Sequence, residues 1–228
     1  VDFEFPNENG QPYKSSGGKM IYNKELDKDI PEDFEATKLS DLCLNIKSGG
    51  TPSRYINEYW KNGDIMWITN GEIKNNIIFS SKECITSEGL NNSSAKLMPK
   101  NSVLLAMYCV SDIQLGFLLS SASTNQACCA LITDTPQIAS FLYYSLRCNG
   151  ESLMSFATGT AQQNLNKEII ENFSIVNFGN CSRELNFFWE IIKFRGLLSE
   201  EIFLLQKSKE ILLSKMSKTE TLQTEQTI

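Results

Sequence analysis

Four polar segments carry the side chains with most to offer a ligand. They are Lys47-Ser48-Gly49-Gly50-Thr51-Pro52-Ser53-Arg54, Ser93-Ser94-Ala95-Lys96, Ser123-Thr124-Asn125-Gln126 and Gly159-Thr160-Ala161-Gln162-Gln163-Asn164. The first joins two cations, three hydroxyls and exposed backbone amides, a set that suits phosphate oxygens. A plain turn is the competing reading. The second repeats the pattern with fewer groups. The third offers two side-chain amides, which can bridge an adenine edge in a bidentate manner, or can instead tie down a buried turn. The fourth is a polar loop ahead of a helix, open to base contact or to anchoring of the loop on a sheet. Tyr59, Trp60 and Trp67 read as core aromatics rather than as base-stacking platforms.

Groups for turnover are missing. The chain has no histidine, which removes Ser-His-Asp and Cys-His nucleophiles, histidine general bases and most zinc and iron sites. Seven cysteines, with no C-x-x-C spacing, read as mostly buried free thiols. Gly17-Gly18 and Gly49-Gly50 lack the further glycines and the Gly-Lys-Ser ending of a phosphate loop. The Gly-x-Gly and Asn-Pro-Pro-Tyr loops of a base-flipping methyltransferase are absent, and there is no Pro-Pro pair. Asp41, Asp64, Glu72, Asp112 and Asp134 are scattered, and each reads as a cap or a solvated charge. The expectation is a chain that binds rather than catalyses, with no cofactor and no metal.

A net charge of −6 sits badly with a polyanionic partner until its distribution is read. Residues 1–35 hold nine acids and four bases; residues 36–103 hold six and eight, and residues 181–218 hold five and seven. The acidity is therefore concentrated at the front, and the local field elsewhere is mildly positive. Any phosphate-neutralising surface has to be modest or shared with a partner. With 228 residues and 41% apolar content the chain is long and apolar enough for a true core. No apolar run approaches the length of a membrane span, and no signal peptide opens the sequence, so a cytoplasmic location is expected. Val1 in place of Met suggests a fragment or processed chain.

The elements that must position these loops are short and irregularly spaced. Residues 1–35, rich in turn formers such as Pro6, Asn9-Gly10 and Ser15-Ser16-Gly17-Gly18, read as a loop-rich lead. Residues 36–180 read as one mixed domain. Strands fit Ile65–Thr69, Val103–Tyr108, Leu115–Leu119 and Ala127–Ile132; helices fit Leu39–Ile46, Ile138–Cys148 and Lys167–Asn172. Asn70-Gly71 signals a tight turn. The pattern is α+β, not a doubly wound sheet.

Residues 181–218 differ in kind. Positions spaced three and four apart from Phe188 are Ile191, Arg195, Leu198, Ile202, Leu205, Lys209, Leu212 and Met216. Seven of these nine are apolar, which predicts a helix of about four heptads, roughly 40 Å long. The seam Phe188, Ile191, Arg195, Leu198, Ile202, Leu205, Leu212 and Met216 fits a coiled coil with a second segment or chain; an amphipathic helix packed on its own domain is the alternative. Gly196 weakens this helix without breaking it. Residues 219–228 are expected to be disordered.

The order of several blocks is familiar. Ser48-Gly49-Gly50-Thr51-Pro52-Ser53, Glu58-Tyr59-Trp60 and Gly63-Asp64-Ile65-Met66-Trp67-Ile68-Thr69 resemble the opening of a target-recognition domain in type I restriction–modification specificity subunits. Ile85–Leu90, Ser93–Pro99, Leu104–Tyr108, Ser123–Gln126 and Gly159–Leu165 follow in the matching order, and residues 2–20 resemble the segment that precedes such domains. The resemblance implies a non-catalytic subunit that reads half of a split site in double-stranded DNA. It also implies methyltransferase and restriction subunits as partners. With one recognition domain and one spacer helix, the chain is expected to be half of a two-domain subunit or a half-subunit that pairs with itself. On this basis the candidate DNA-contacting residues are Lys47, Ser48, Thr51, Ser53, Arg54, Asn70, Lys74, Ser94, Lys96, Tyr108, Asn125, Gln126, Gln162 and Gln163. Where many relatives carry a Gly-Ala-Thr-Ile-Gly-Lys stretch, this chain has Cys109-Val110-Ser111-Asp112-Ile113-Gln114, losing a glycine turn and a cation. A degenerate relative that keeps only the helix for methyltransferase docking is the alternative function.

Overall fold

The computed structural model describes residues 3–109, 112–159, 163–177 and 182–225; for residues 109, 163, 182–184 and 216–225 only the backbone is described. In chain order the elements are β1 (Met20–Asn23), β2 (Lys28–Pro31), β3 (Glu35–Lys38), α1 (Leu39–Leu42), β4 (Asn45–Ser48), β5 (Ile65–Ile68), β6 (Asn76–Ile78), β7 (Glu83–Ile85), α2 (Ser87–Asn91), β8 (Leu97–Met98), β9 (Val103–Ala106), β10 (Tyr108–Cys109), β11 (Leu115–Leu118), β12 (Ala122–Thr124), β13 (Cys128–Ile132), α3 (Pro136–Cys148), α4 (Gly150–Met154), β14 (Gln163–Asn164), α5 (Lys167–Asn172), β15 (Ser174–Asn177) and α6 (Ser182–Glu225). This is an α+β architecture with mixed sheets.

A five-stranded sheet runs in the order β4-β13-β9-β11-β6, and a four-stranded one in the order β7-β5-β12-β8. Most neighbours are antiparallel, but β6 joins β11 and β5 joins β12 in parallel. Every residue of β9 and β11 is buried. α3 packs over those two strands and is in turn covered by the start of α6. Thr135 caps α3 by accepting from the Ile138 N–H at 3.3 Å, and Pro136 opens its first turn.

Several expectations are corrected. The helix expected over Leu39–Ile46 stops at Leu42, and Asn45–Ser48 becomes β4, paired with β13 from Ile132 to Cys129. Cross-strand pairing overrides local helical spacing there. The lead segment is more regular than its turn formers suggest: β1 and β2 form a hairpin closed by Asn23, whose Oδ1 accepts from the Glu25 and Leu26 N–H groups at 3.0 Å. Ile30, Phe34 and Val176 make a small second core with Phe3 and Phe5, so this segment docks rather than drapes. Asn70-Gly71 does not make a hairpin turn. It lies in a 3-10 turn, Asn70–Glu72, in which Glu72 Oε2 accepts from the Thr69 N–H (2.9 Å) and hydroxyl (2.7 Å).

The last helix departs most from its expected behaviour. It spans 44 residues, roughly 65 Å, and runs to Glu225. Residues 219–225, expected to be disordered, are helical; they contain no Gly or Pro to stop the helix. Its apolar face is covered by the chain's own head in the first half and exposed in the second. Near the start Ile192 is fully buried, and Leu185, Phe188 and Trp189 pack on the main core. Phe188 lies 5.9 Å from Phe141 and 5.7 Å from Tyr144. Gly196 lies close against the head: a Cβ there would meet Leu119 at 2.8 Å. Arg195 donates to the Tyr144 hydroxyl and the Asn75 carbonyl, each at 3.2 Å. Phe188 and Arg195 are thus engaged by the chain's own globular part, not presented to a second helix, because the first turns of α6 cross α3 and β6. Ile191 is half-buried. Beyond Gly196, Leu198, Ile202, Leu205 and Leu212 are all exposed. The side chain of Met216 lies outside the described residues.

Candidate nucleic-acid interface

The loop after β4 is fixed from beneath. Gly49 and Gly50 donate their N–H groups to the Cys128 and Thr124 carbonyls at 3.2 and 2.8 Å. A Cβ on Gly50 would lie 2.3 Å from the Ser94 carbonyl oxygen, so the loop needs glycine there to reach its neighbour. The indole N–H of buried Trp67 donates to the Gly50 carbonyl, and that of Trp60 to the Ser53 carbonyl, each at 3.0 Å. The two rings meet edge to face at 5.0 Å. These tryptophans hold the loop's shape, as packing aromatics rather than stacking platforms.

That wiring changes what the loop presents. The Gly49 and Gly50 amides, expected to face a phosphate, are already bonded within the chain. Arg54 is also engaged: it makes a forked pair with Glu83 at 2.6 and 2.8 Å, and its guanidinium lies 3.5 Å from the Trp60 ring centroid. The bond to Glu83 raises the Arg54 pKa, and the same bond holds the Glu83 carboxyl below its ordinary value. Lys47 is half-buried, opposite Ala130 in the sheet. The segment is therefore a shaped polar loop with little free cationic charge, not the cationic cradle its composition suggests.

Amide groups gather beside it. The Thr51 hydroxyl donates to Gln126 Oε1 at 2.7 Å, across 75 positions of sequence. Gln126 is exposed, and its side-chain NH2 and second oxygen lone pair remain for a base edge. Asn125 is half-buried and plays the anchoring part: its Oδ1 accepts from the Cys128 thiol at 3.0 Å and its N–H donates to the Ile68 carbonyl at 3.0 Å. Ser53, Ser94 and Lys96 are exposed. Ser94 touches the Gly50 turn, and Lys96 precedes Leu97, which pairs with Ser123. Below them, Ser123 Oγ and Thr124 Oγ1 are buried with no partner among the described residues. Each such group costs about 1–3 kcal/mol, a local conflict of the kind that collects at functional sites.

A second cluster adjoins the first through Ile68. Two residues on, Asn70 donates from Nδ2 to the Tyr108 carbonyl at 3.0 Å and accepts from the Tyr108 N–H at 3.5 Å. Tyr108 is 43% exposed, enough for its ring to meet a ligand. Its strand pairs with Gln163–Asn164. Gln162 and the side chain of Gln163 lie outside the described residues. Lys74 is exposed and precedes Asn75, whose carbonyl accepts from Arg195 of α6. The bond from the Asn125 N–H to the Ile68 carbonyl links the Thr51–Gln126 contact along the chain to the Asn70–Tyr108 one, and Ser94 joins the first through the Gly50 turn. Two residues there escape sequence reasoning. Glu83, 29 positions from Arg54, carries no spacing signal. Tyr55, wholly exposed beside Arg54, is one tyrosine in a polar stretch.

Of the described thiols, three are buried, Cys84 is half-buried and Cys148 is exposed. Burial pushes Cys43, Cys128 and Cys129 up to about 12, so they stay protonated and inert. Among the described residues no three acids or cysteines gather as a metal site would require, and no helix is long and apolar enough to cross a membrane.

Residues 31–176 match the family model described as "Type I restriction modification DNA specificity domain". The chain belongs to that family. The matched segment holds the whole polar region and ends before α6. The specificity subunit of the type I restriction enzyme EcoR124I/EcoR124II from Escherichia coli is 30% identical over 135 residues, which is 56% of this chain and 33% of that protein. The MjaIX specificity subunit of Methanocaldococcus jannaschii is 31% identical over 121 residues, covering 50% of this chain and 27% of the relative. The chain thus aligns with about a third or less of either relative. Among solved structures, the type I S subunit from M. genitalium superposes with a TM-score of 0.56 at 14% identity, over 78% of this chain and 43% of that one. This likeness extends the agreement to the fold.

Proposed function

We propose that the chain is the DNA-reading part of a type I restriction–modification specificity subunit. It addresses one half of a bipartite duplex site and carries no catalytic group of its own. The observation behind this reading is the Thr51–Gln126 and Asn70–Tyr108 contacts, linked through the Asn125–Ile68 backbone bond, inside the segment shared with the specificity-domain family. Polar side chains on a backbone wired from below are held in place before a ligand arrives, which lowers the ordering cost of binding. Methyltransferase subunits, and restriction subunits through them, are the partners that would do chemistry on the addressed DNA.

The exposed half of α6 supplies the docking element. Leu198, Ile202, Leu205 and Leu212 would meet a second spacer helix, either from another copy or from the other half of a longer subunit. A large apolar surface left in water marks an interaction site.

The test is a nuclease footprint with the chain assembled on its cognate methyltransferase subunit. The reading expects a discrete protected stretch on one duplex sequence that fades as salt rises. The competing reading is a scaffold that docks methyltransferase through its helix without reading DNA. It draws on the Arg54–Glu83 pair, which leaves the loop short of free cations. A pull-down that recovers the methyltransferase while the footprint stays blank would decide for it.

A further inference from the structure

A face that reads bases must also hold the phosphates that flank them, and the polar region has few cations to do so. Arg54 is paired and Lys47 is half-buried, which leaves Lys96 exposed there with no ion pair among the described residues. Further cations lie one step farther along the chain that carries Asn70. Asn75 follows Lys74, three residues past the Asn70–Glu72 turn, and takes a left-handed backbone with φ of 56°. Its side chain holds the segment that returns from Tyr108: Nδ2 donates to the Ile113 carbonyl at 3.3 Å, and Oδ1 accepts from the Leu115 N–H at 3.1 Å. Its own carbonyl faces two guanidiniums. Arg195 of α6 donates to it at 3.2 Å, and Arg147, in the last turn of α3, at 3.5 Å.

Two arginines drawn to one neutral carbonyl bring like charges together; Arg195 is steadied by the Tyr143 and Tyr144 rings, 5.6 and 5.9 Å away, and an anion would favour both. Among the described residues neither makes an ion pair. Of the carboxylates around them, Glu190 is paired with Lys193, while Glu72 and Asp112 accept only neutral N–H and hydroxyl donors and make no ion pair with either arginine among the described residues. Arg147 and Lys74 are exposed, while Arg195 is fixed by the Tyr144 hydroxyl. A fixed arginine beside a free one, each with N–H groups to spare, matches the fork geometry that phosphate oxygens accept.

We infer that Arg147, Arg195 and Lys74 form a phosphate clamp at the root of α6, which grips the DNA backbone next to the base-reading face. The inference rests on the DNA-reading proposal above and adds the source of its electrostatic affinity. The clamp carries no sequence information; it fixes the duplex against the junction of head and helix.

The test measures binding of the full chain to a mixed-sequence duplex by fluorescence anisotropy across a salt series. For the unaltered chain, log K falls linearly with log[salt]. Arg147→Gln removes one phosphate contact, so the slope becomes shallower by about 0.9. Lys74→Gln does the same, and Arg147→Lys restores the slope. Melting temperatures check that each variant is folded. An unchanged slope in Arg147→Gln overturns the clamp. So does loss of methyltransferase docking at an unchanged slope, which would mark the pair as a seat for a protein carboxylate. Absence of any duplex binding by the unaltered chain at low salt also overturns it. Base reading by the assembled complex is judged separately by the footprint, so the two ideas fail independently.

Discussion

The two halves of α6 share one apolar period and have different fates. Up to Gly196 the helix is part of the globular core: Ile192 is sealed, Phe188 stacks among aromatics, and Arg195 reaches back to Asn75. Past Gly196, Leu197, Leu198, Ile202, Leu204 and Leu205 are exposed in succession. Amphipathic spacing says that a helix has something to cover; it does not say whether the cover lies in the same chain. The cover thins along the helix: Gly196 lies against Leu119, Phe203 still meets Phe79 at 5.5 Å, and the leucines around them face outward.

The sharpest break in this comparison is expected at Ile192. Ile192→Ala should lower the unfolding free energy by about 2–5 kcal/mol, as for other deleted core side chains, while Leu205→Ala should stay within about 0.5 kcal/mol in the same urea titration. Equal losses would mean that the distal half is also core. The next effect concerns assembly. Burying each of Leu198, Ile202, Leu205 and Leu212 against a partner is worth about 1.5–3 kcal/mol, so Leu205→Asp should abolish pairing or partner docking in light scattering while the melting temperature of the globular part holds. Unchanged assembly would refute the seam.

A smaller effect separates the tied loop from the presented one. Glu83 titrates below its ordinary value because Arg54 holds it. A carboxyl depressed in the folded state contributes stability that is present above its unfolded pKa and is lost as pH falls through the folded one. The acid limb of the stability curve should therefore include a Glu83 contribution that Glu83→Gln removes. Both side chains are close to half exposed, so solvent screening limits it to about 0.2–1 kcal/mol in acid-titration melts.

What was legible follows from how far each signal reaches along the chain. Lys167–Asn172 is a helix with Asn166 capping it, a local pattern that survives folding. Leu115–Leu118 lies beside Val103–Ala106, as two apolar runs joined by a short loop tend to do. The loop at Ser48–Arg54 was recognisable from its residue types, but its use was not. Whether the Gly50 amide is free depends on Thr124, and whether Arg54 is free depends on Glu83, neither at a spacing that sequence reveals. The small core of Ile30, Phe34 and Val176 joins the two ends of the head across some 140 positions and leaves no periodic trace. The root of α6 escaped for the same reason, since Arg147, Arg195 and Asn75 meet only after folding.

The central claim is that base sequence is read at the linked Thr51–Gln126 and Asn70–Tyr108 contacts. Enrichment of a randomised duplex by the methyltransferase-bound chain, run in parallel with Gln126→Ala, tests it most directly. The unaltered chain should enrich one short motif, and the variant should relax preference at one or two of its positions, a discrimination of about 1–3 kcal/mol per lost bidentate contact. Identical motifs from both proteins, or no motif from either, would contradict it.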